Sequence, residues 1–437
     1  MCEMFRWIPH KRILRHGIVA PARAKRMRLV AMSALFAVVA ASAAAAADVT
    51  AEVAGKGCAV LSARVDAVAG DGPVFLRSYD SAAGEGPPAE PALATAAFTY
   101  DNAVAAIALT ACGRDGQARR IAAALADAAL HDRAGASGRL RNAYRGGAQQ
   151  VPPPPNGWWD ARLGRWSEDD YQVGTATGNV AWAGLALMTV GQRQGERRFI
   201  DAAAQLAAWV VDNASDAVGF SGGAFGNDIG ARRLGWISTE HNIDLAALFS
   251  WLAASGRPGG WEAPRRKARS FVATMWDAAD GHFLTGTLPD GATPNRATSA
   301  VDIQFWAPLL ADADPDWRRA LDYARRAHGA EGGFDFNDDR DGMWVEGTAH
   351  AVLAFRHAGR GAEADRYLAE IAREFSPGGY LWATRRPRIT TGLAIGPDSR
   401  TADFYYYRRP HLGATAWAVL AALDWNPFAT MLNTRGG

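Results

Sequence analysis

The sequence predicts an all-α protein, an (α/α)6 barrel: a toroid of six helical hairpins with long loops and short β-hairpins on one rim. Three observations lead there. First, a short loop rich in Gly and aromatic residues recurs, ends in a carboxylate or polar cluster, and runs straight into an Ala-rich apolar helix. It is clearest at Thr99-Tyr100-Asp101-Asn102-Ala103, Ser238-Thr239-Glu240-His241-Asn242, Ser299-Ala300-Val301-Asp302 and Trp344-Val345-Glu346-Gly347-Thr348, with weaker versions at 174–182 and 411–417. Repetition on this scale is the signature of a repeat architecture. Second, helices that are apolar nearly all round alternate with amphipathic ones, as an inner and an outer layer require. Third, inner-to-outer turns are short, whereas outer-to-inner connections are long and aromatic.

The elements follow in order. Residues 98–111 form the first inner helix, ended by Gly113, and 117–129 its outer partner, with Arg119, Arg120 and Asp127 toward solvent. The same pair recurs at 178–190 and 197–213, 240–254 and 261–276, 301–310 and 316–327, and 347–357 and 362–375. The last inner helix, 413–423, is stopped by Asn426-Pro427. Residues 58–69 are apolar on one face and supply the sixth outer helix. The alternative, an open superhelix of helix pairs, leaves the all-apolar inner helices uncovered. The long connections are 131–170, 219–236, 281–298, 332–344 and 378–410, with strand-like pieces at 282–285 and 380–383. Loops of this length in a compact domain are functional or disordered, and their tryptophans argue for order.

The N-terminal 47 residues read as a leader. Arg26 and Arg28 precede an apolar run over 29–40, small residues at 43–47 and then Asp48, the pattern of a secretory signal with its cleavage site. Met27 would open a signal of ordinary length; a single membrane anchor is the alternative. A periplasmic or secreted enzyme without stable membrane insertion is expected, its barrel spanning 48–430 and a short tail 431–437. Eight of the 47 Lys/Arg and one of the 45 Asp/Glu lie in the leader, so the rest carries 39 basic and 44 acidic groups, a balance of −5. No basic stripe argues for nucleic acid. Ala-rich outer helices fit a monomer. Cys58 and Cys112 either pair, pinning the ring closed, or stay as two buried thiols.

Asp101, Glu240, Asp302 and Glu346 all stand at or near starts of inner helices. Capping explains any one of them, since free N–H groups and the helix dipole favour carboxylates there. Four on helices sharing one direction would converge on one mouth, where repulsion and burial raise some carboxyl pKa values while the dipole keeps others ionised. One protonated and one ionised carboxylate is the pair that glycosidic cleavage needs. Around them, Tyr100, Trp158, Trp159, Tyr171, Trp236, Trp344, Trp382 and the run Tyr405-Tyr406-Tyr407 offer flat faces for sugar rings. Asn102, Arg141, Asn142, Asp170, His241, Asn242, Asp244 and His411 offer hydrogen bonds to hydroxyls. Trp166, Trp182, Trp251 and Trp417 read as packing. His241 beside Glu240 lacks companions at metal-ligand spacing. The stretch Asp335–Asp341 is like an oxygen-rich calcium loop but lacks the Gly and terminal Glu of an EF-hand, and reads as a solvated loop. No nucleophile elbow, P-loop or dinucleotide fingerprint occurs in the strand–turn–helix context that would support one. No metal and no cofactor is expected.

The helix-opening motifs Tyr100-Asp101-Asn102-Ala103, Ser238-Thr239-Glu240-His241-Asn242 and Trp344-Val345-Glu346-Gly347-Thr348-Ala349, set in the hairpin repeat, resemble the six-hairpin glycosidase group over nearly all of the chain after the leader. The resemblance implies a funnel lined by inner-helix starts and an inverting hydrolase with two carboxylates. Carried over, Glu240 is the general acid, Glu346 the general base and Asp101 the competing base, acting on an oligo- or polysaccharide. Two other readings use the same rim. A polysaccharide lyase or related sugar-processing toroid would draw its base and clamp from His241, Asn242, Arg141, Tyr405–Tyr407, Arg408 and His411. A non-catalytic carbohydrate-binding protein would keep the aromatic residues without converging acids.

Overall fold

The computed structural model describes residues 46–81, 86, 88, 90–135 and 138–429. By contact the chain divides into Met1–Asp48 and Val49–Gly437. The expected secretory signal, apart from its last two residues, and the expected C-terminal tail lie outside the described residues. Among the described residues no helix is long and apolar enough to cross a membrane.

Thirteen helices order the described chain: α1 over 46–66, α2 Thr99–Ala111, α3 Asp115–Leu130, α4 Asp170–Val173, α5 Thr177–Gln194, α6 Arg197–Ala214, α7 Thr239–Ala254, α8 Glu262–Thr274, α9 Asp302–Trp306, α10 Arg319–Ala327, α11 Val345–His357, α12 Gly361–Ile371 and α13 Leu412–Ala422. The inner layer is α2, α5, α7, α9, α11 and α13. Each packs on the next, and α13 returns to α2, so the ring is closed rather than an open superhelix. Inner helices are buried along almost their whole length, whereas α6, α8 and α10 bury one face only.

Two elements differ from expectation. The sixth outer helix is α1, and it is already helical at residue 46, where the described residues begin, rather than from 58; Ala46, Ala47, Ala51 and Ala54 are strong helix formers. Gly57 lets α1 lie directly on Val419 of α13, and a Cys58–Cys112 disulfide (Cα–Cα 5.8 Å) ties α1 to the end of α2. The fourth inner helix is short: Pro308 has no N–H for the ladder, so α9 gives way to a 3-10 turn over Ala307–Leu309.

A backbone relay closes the ring at the end where inner helices begin. The first N–H groups of each inner helix lack partners within the helix. Here one at each start donates to a carbonyl in the connection before the following inner helix: Thr99 to Asn142 (2.9 Å), Thr177 to Gly222 (3.2 Å), Thr239 to Thr285 (3.0 Å), Val301 to Phe336 (2.9 Å), Val345 to Ala383 (3.0 Å) and Leu412 to Ser78 (2.9 Å). The last of these joins the last inner helix to the connection before the first.

Side chains one turn in add a clamp. Asn102 accepts the Leu76 N–H (2.8 Å) and donates to the Leu76 and Phe98 carbonyls (2.9 and 3.0 Å). Asn242 does the same with Phe220 and Ser238, Gln304 with Phe283 and Ala300. Thr348 and Thr415 accept from the N–H groups of Phe334 and Leu381 and donate four residues back. Among the described residues, the connections also pair into seven small sheets, six of two strands and one of three, including Trp158–Asp160 with Arg165–Ser167 and Arg388–Thr390 with Tyr405–Tyr407.

The clamp predicts a cost. Asn242→Ala leaves the buried Phe220 N–H and C=O without partners and should lower stability by about 2–4 kcal/mol, read as a drop in urea midpoint. A change below about 0.5 kcal/mol would contradict the role.

Candidate active site

Five carboxylates gather at the helix-start end of the ring: Asp101 on α2, Glu240 and Asp244 on α7, Asp302 on α9 and Glu346 on α11. Relay and clamp explain why: they hold each inner helix by its first turns, which brings Asp302 at the first position, Glu240 and Glu346 at the second, Asp101 at the third and Asp244 at the sixth to one end of the ring.

The tightest part is a trio. His411, the N-cap of α13, takes the Ala414 N–H on Nδ1 (3.2 Å). Its Nε2 lies 3.5 Å from Asp101 Oδ2, and its Nδ1 lies 3.5 Å from Glu346 Oε2. One atom from each of the three lies within 4.8 Å of the others. This approach needs Gly413, because a Cβ there would sit 2.7 Å from both Asp101 Oδ1 and Glu346 Oε2. The trio is close enough to share a cation, but both His411 nitrogens are already engaged, one by Ala414 and one toward Asp101. Glu346 Oε1 accepts a 2.6 Å hydrogen bond from Tyr100, whose hydroxyl in turn accepts from Trp417 Nε1 at 2.7 Å.

Below the acids the ring is filled by aromatics. Trp182, Trp306 and Trp417, from alternate inner helices, meet with centroids 5.3–5.6 Å apart, and Phe428 closes on them. This floor removes water from one side of the cluster. Burial pushes Glu346 up to about 7; the nearby His411 opposes that rise and Asp101 adds to it. Burial likewise pushes Asp302 up to about 7. Burial, then Asp302 and Glu346, hold Glu240 well above the usual carboxylate range, and burial, Glu240 and Asp302 do the same for Asp244. Burial alone would lower His411, but the Asp101 and Glu346 carboxylates outweigh it and raise it. Burial drops His241 to about 4, so it is neutral at pH 7. Of the five acids Glu240 is the one with appreciable exposure.

The expected rim residues divide. Tyr406 feels Glu346, Asp101 and Glu240 together and packs on Trp344 (5.2 Å). Tyr171 feels Glu240 and Asp101, and Trp236 packs on His241 (5.4 Å). Others are used by the scaffold. Arg141 is fully buried and gives its donors to Asp132, Asp228 and the Val173 carbonyl. Asn142 bonds Tyr171, Ala176 and Asn179, and Asn102 and Asn242 are clamps. Trp344 is buried, Trp382 carries Arg408 on its face, and Asp170 is exposed at the start of α4. Trp158 and Trp159 pair with Ser167 and Trp166 in a hairpin, with Trp159 63% exposed.

Two contributors escaped the sequence reading. His350, one helical turn after Glu346, is buried with Nε2 3.8 Å from Glu346 Oε1. Tyr79 packs on His411 (4.9 Å) and borders a cavity of about 500 Å³ walled by Glu90, Tyr407, Arg408 and Arg409. The i+4 spacing could have flagged His350; nothing local flags Tyr79, which arrives through the ring closure at Ser78.

The sequence matches no protein-family model and no curated protein. Solved structures do match. A glycosidase is similar at 14% identity over 86% of this chain and 98% of its own, with a TM-score of 0.55. A point variant of a glycosidase in complex with glucose gives the same values. Cellobiose 2-epimerase from Spirochaeta thermophila is similar at 12% identity over 89% and 97%, with a TM-score of 0.57. At these identities the likeness is one of architecture: the chain has the six-hairpin glycosidase-like fold.

The raised Glu346 carries a linkage consequence. Its native pKa of about 7 exceeds the ordinary 4.5, so the native state holds the proton more tightly than the unfolded chain. That stabilisation is full below the ordinary value and is lost as pH rises through about 7. Glu346→Gln removes the titration. The variant should therefore gain about 2–3 kcal/mol on wild type between pH 5 and pH 8, measured by urea unfolding at both. An offset independent of pH would show that burial does not hold this proton.

Proposed function

We propose that the protein is an exported glycoside hydrolase acting on an oligo- or polysaccharide, with Glu240 as general acid and Glu346 as general base. The observation that carries this reading is the division of the acids. Asp101, Glu346 and His411 lie within 4.8 Å of one another. An inverting pair needs about 6.5–9.5 Å to admit a water. Asp101 and Glu346 are too close to be that pair, and the carboxylate left to serve with Glu346 is Glu240, raised in pKa and the most exposed of the five.

Protonated Glu240 donates to the glycosidic oxygen as the bond to the anomeric carbon breaks. Ionised Glu346 takes a proton from the water that attacks that carbon from the other face. Tyr100 orients Glu346, and His411 between Glu346 and Asp101 opposes the rise of the Glu346 pKa. Tyr171, Trp236 and Tyr406 offer faces for the sugar. The disulfide fits an oxidising compartment, in keeping with export.

A specific feature favours a second reading, a sugar epimerase or isomerase. His411, basic and set between carboxylates, is also suited to moving a proton next to a carbonyl. Incubation with cellobiose in D2O separates the two: deuterium entering an intact disaccharide supports the epimerase, and new reducing ends support the hydrolase.

Purified protein on a glycan panel should release reducing ends, and Glu240→Gln, folded by circular dichroism, should lose about 10²–10⁴-fold in rate. Wild-type turnover in that variant would remove Glu240 from the chemistry. The kcat/KM profile should climb through about pH 7 as Glu346 ionises and fall only where Glu240 loses its proton, well above the usual carboxylate range. An optimum near pH 4 would contradict these assignments.

A further inference from the structure

The loop Asp335-Phe336-Asn337-Asp338-Asp339-Arg340-Asp341 lies between the strand Gly333–Phe334 and α11. Only its second half is solvated: Asp338 to Asp341 are exposed, while Asp335 and Asn337 are buried. Asp335, Asp339 and Asp341 present carboxylate oxygens within 4.8 Å of one another. Clustered acids alone do not make a site. The independent observation is Asp335, whose side chain is wholly buried. Its Oδ1 accepts the Phe336 N–H at 2.7 Å, and its Oδ2, also buried, has no donor. What Asp335 faces instead is the pair of carboxylates on Asp339 and Asp341. A buried acceptor without a donor, turned toward two more acceptors, calls for a positive charge between them, either a proton that Asp335 shares with Asp339 and Asp341 or a cation.

The nearby cations are directed elsewhere. Arg340 donates to the carbonyls of Ala327 and Arg326. Arg388, in reach of Asp341, lies over the Tyr405 ring at 4.4 Å. The backbone is already turned for an enclosed ion. Counted from Asp335, Asn337 and Asp339 are third and fifth, and sixth is Arg340 with φ +58°, where an EF-hand loop places its glycine. The ligand set is all oxygen, which selects a hard cation. One side of the loop is open to water, and calcium tolerates an irregular shell of six to eight oxygens where magnesium demands an octahedron.

We propose that Asp335, Asp339 and Asp341 bind one Ca²⁺. The ion goes beyond the hydrolase reading and stands without it. Its consequence is structural. The Thr390 N–H donates to Asp341 (2.9 Å) and the Thr390 hydroxyl to Asp339 (2.8 Å). The strand holding Thr390 pairs with Tyr405–Tyr407. The ion therefore ties the loop ahead of α11, which carries Glu346, to the hairpin that carries Tyr406.

The test is calorimetric titration of EDTA-stripped full-length protein with CaCl2, with melting followed in parallel. One site per chain is expected, with Tm about 2–4 °C higher in about 5 mM CaCl2 than in EDTA. Asp339→Asn, folded by circular dichroism, should bind at least ~10-fold more weakly and lose the Tm rise; Asp341→Asn gives the same reading should the first variant not fold. No binding heat with no Tm shift in the wild type overturns the site. So does unchanged affinity in a folded variant.

Discussion

The structure depends on what happens to the first N–H groups of its inner helices. A free helix start needs caps or water, and burying six of them at one end of a ring would cost several kcal/mol. Here each start is satisfied by the connection that leads to the next hairpin. The same bond that satisfies one helix positions its neighbour. Because Leu412 closes on Ser78, a local need for hydrogen bonds becomes a circular constraint. Asn102, Asn242, Gln304, Thr348 and Thr415 reinforce it one turn deeper, each holding a strand-like backbone segment against its helix.

Chemistry at the mouth follows from that constraint. Carboxylates at helix starts gain from the dipole, yet five of them over a floor of tryptophans repel one another and lose water. The fold accepts the cost where function would use it. Tyr100 links the floor to Glu346, and His411 stands between Glu346 and Asp101, where it opposes the rise of the Glu346 pKa. Glu240 and Asp244 have no such neighbour among the causes of their raised pKa values and lean toward their neutral forms, while Asp302, which also lacks one, is raised to about 7 as Glu346 is. Two populations of acid arise from one ring, distinguished by who stands beside them.

Much of the architecture was legible in the chain. Five of the six inner helices lie within a few residues of their expected bounds, because apolar faces and Gly or Pro stops are local signals. The exception, α9, breaks at Pro308, a local signal that periodicity overrode. The turns of α1 before residue 58 are not legible because Ala46 and Ala47 also fit the end of a leader. Asn102, Arg141, Asn142 and Asn242 read as sugar ligands because polar side chains near a mouth look alike in one dimension. Each has a partner far along the chain, 26, 87, 34 and 22 residues away respectively. No spacing rule reaches that far.

By itself, the sequence determined the repeating hairpin, the direction of the inner helices and the acids at their starts. Each of these depends on interactions within a few residues, which periodicity records. Only the tertiary structure decided which acids share a histidine, which face a tyrosine, and that Asp335 is buried against Asp339 and Asp341. Those are questions of distance in a closed ring, and closure joins residues such as Ser78 and Leu412 that lie far apart along the chain.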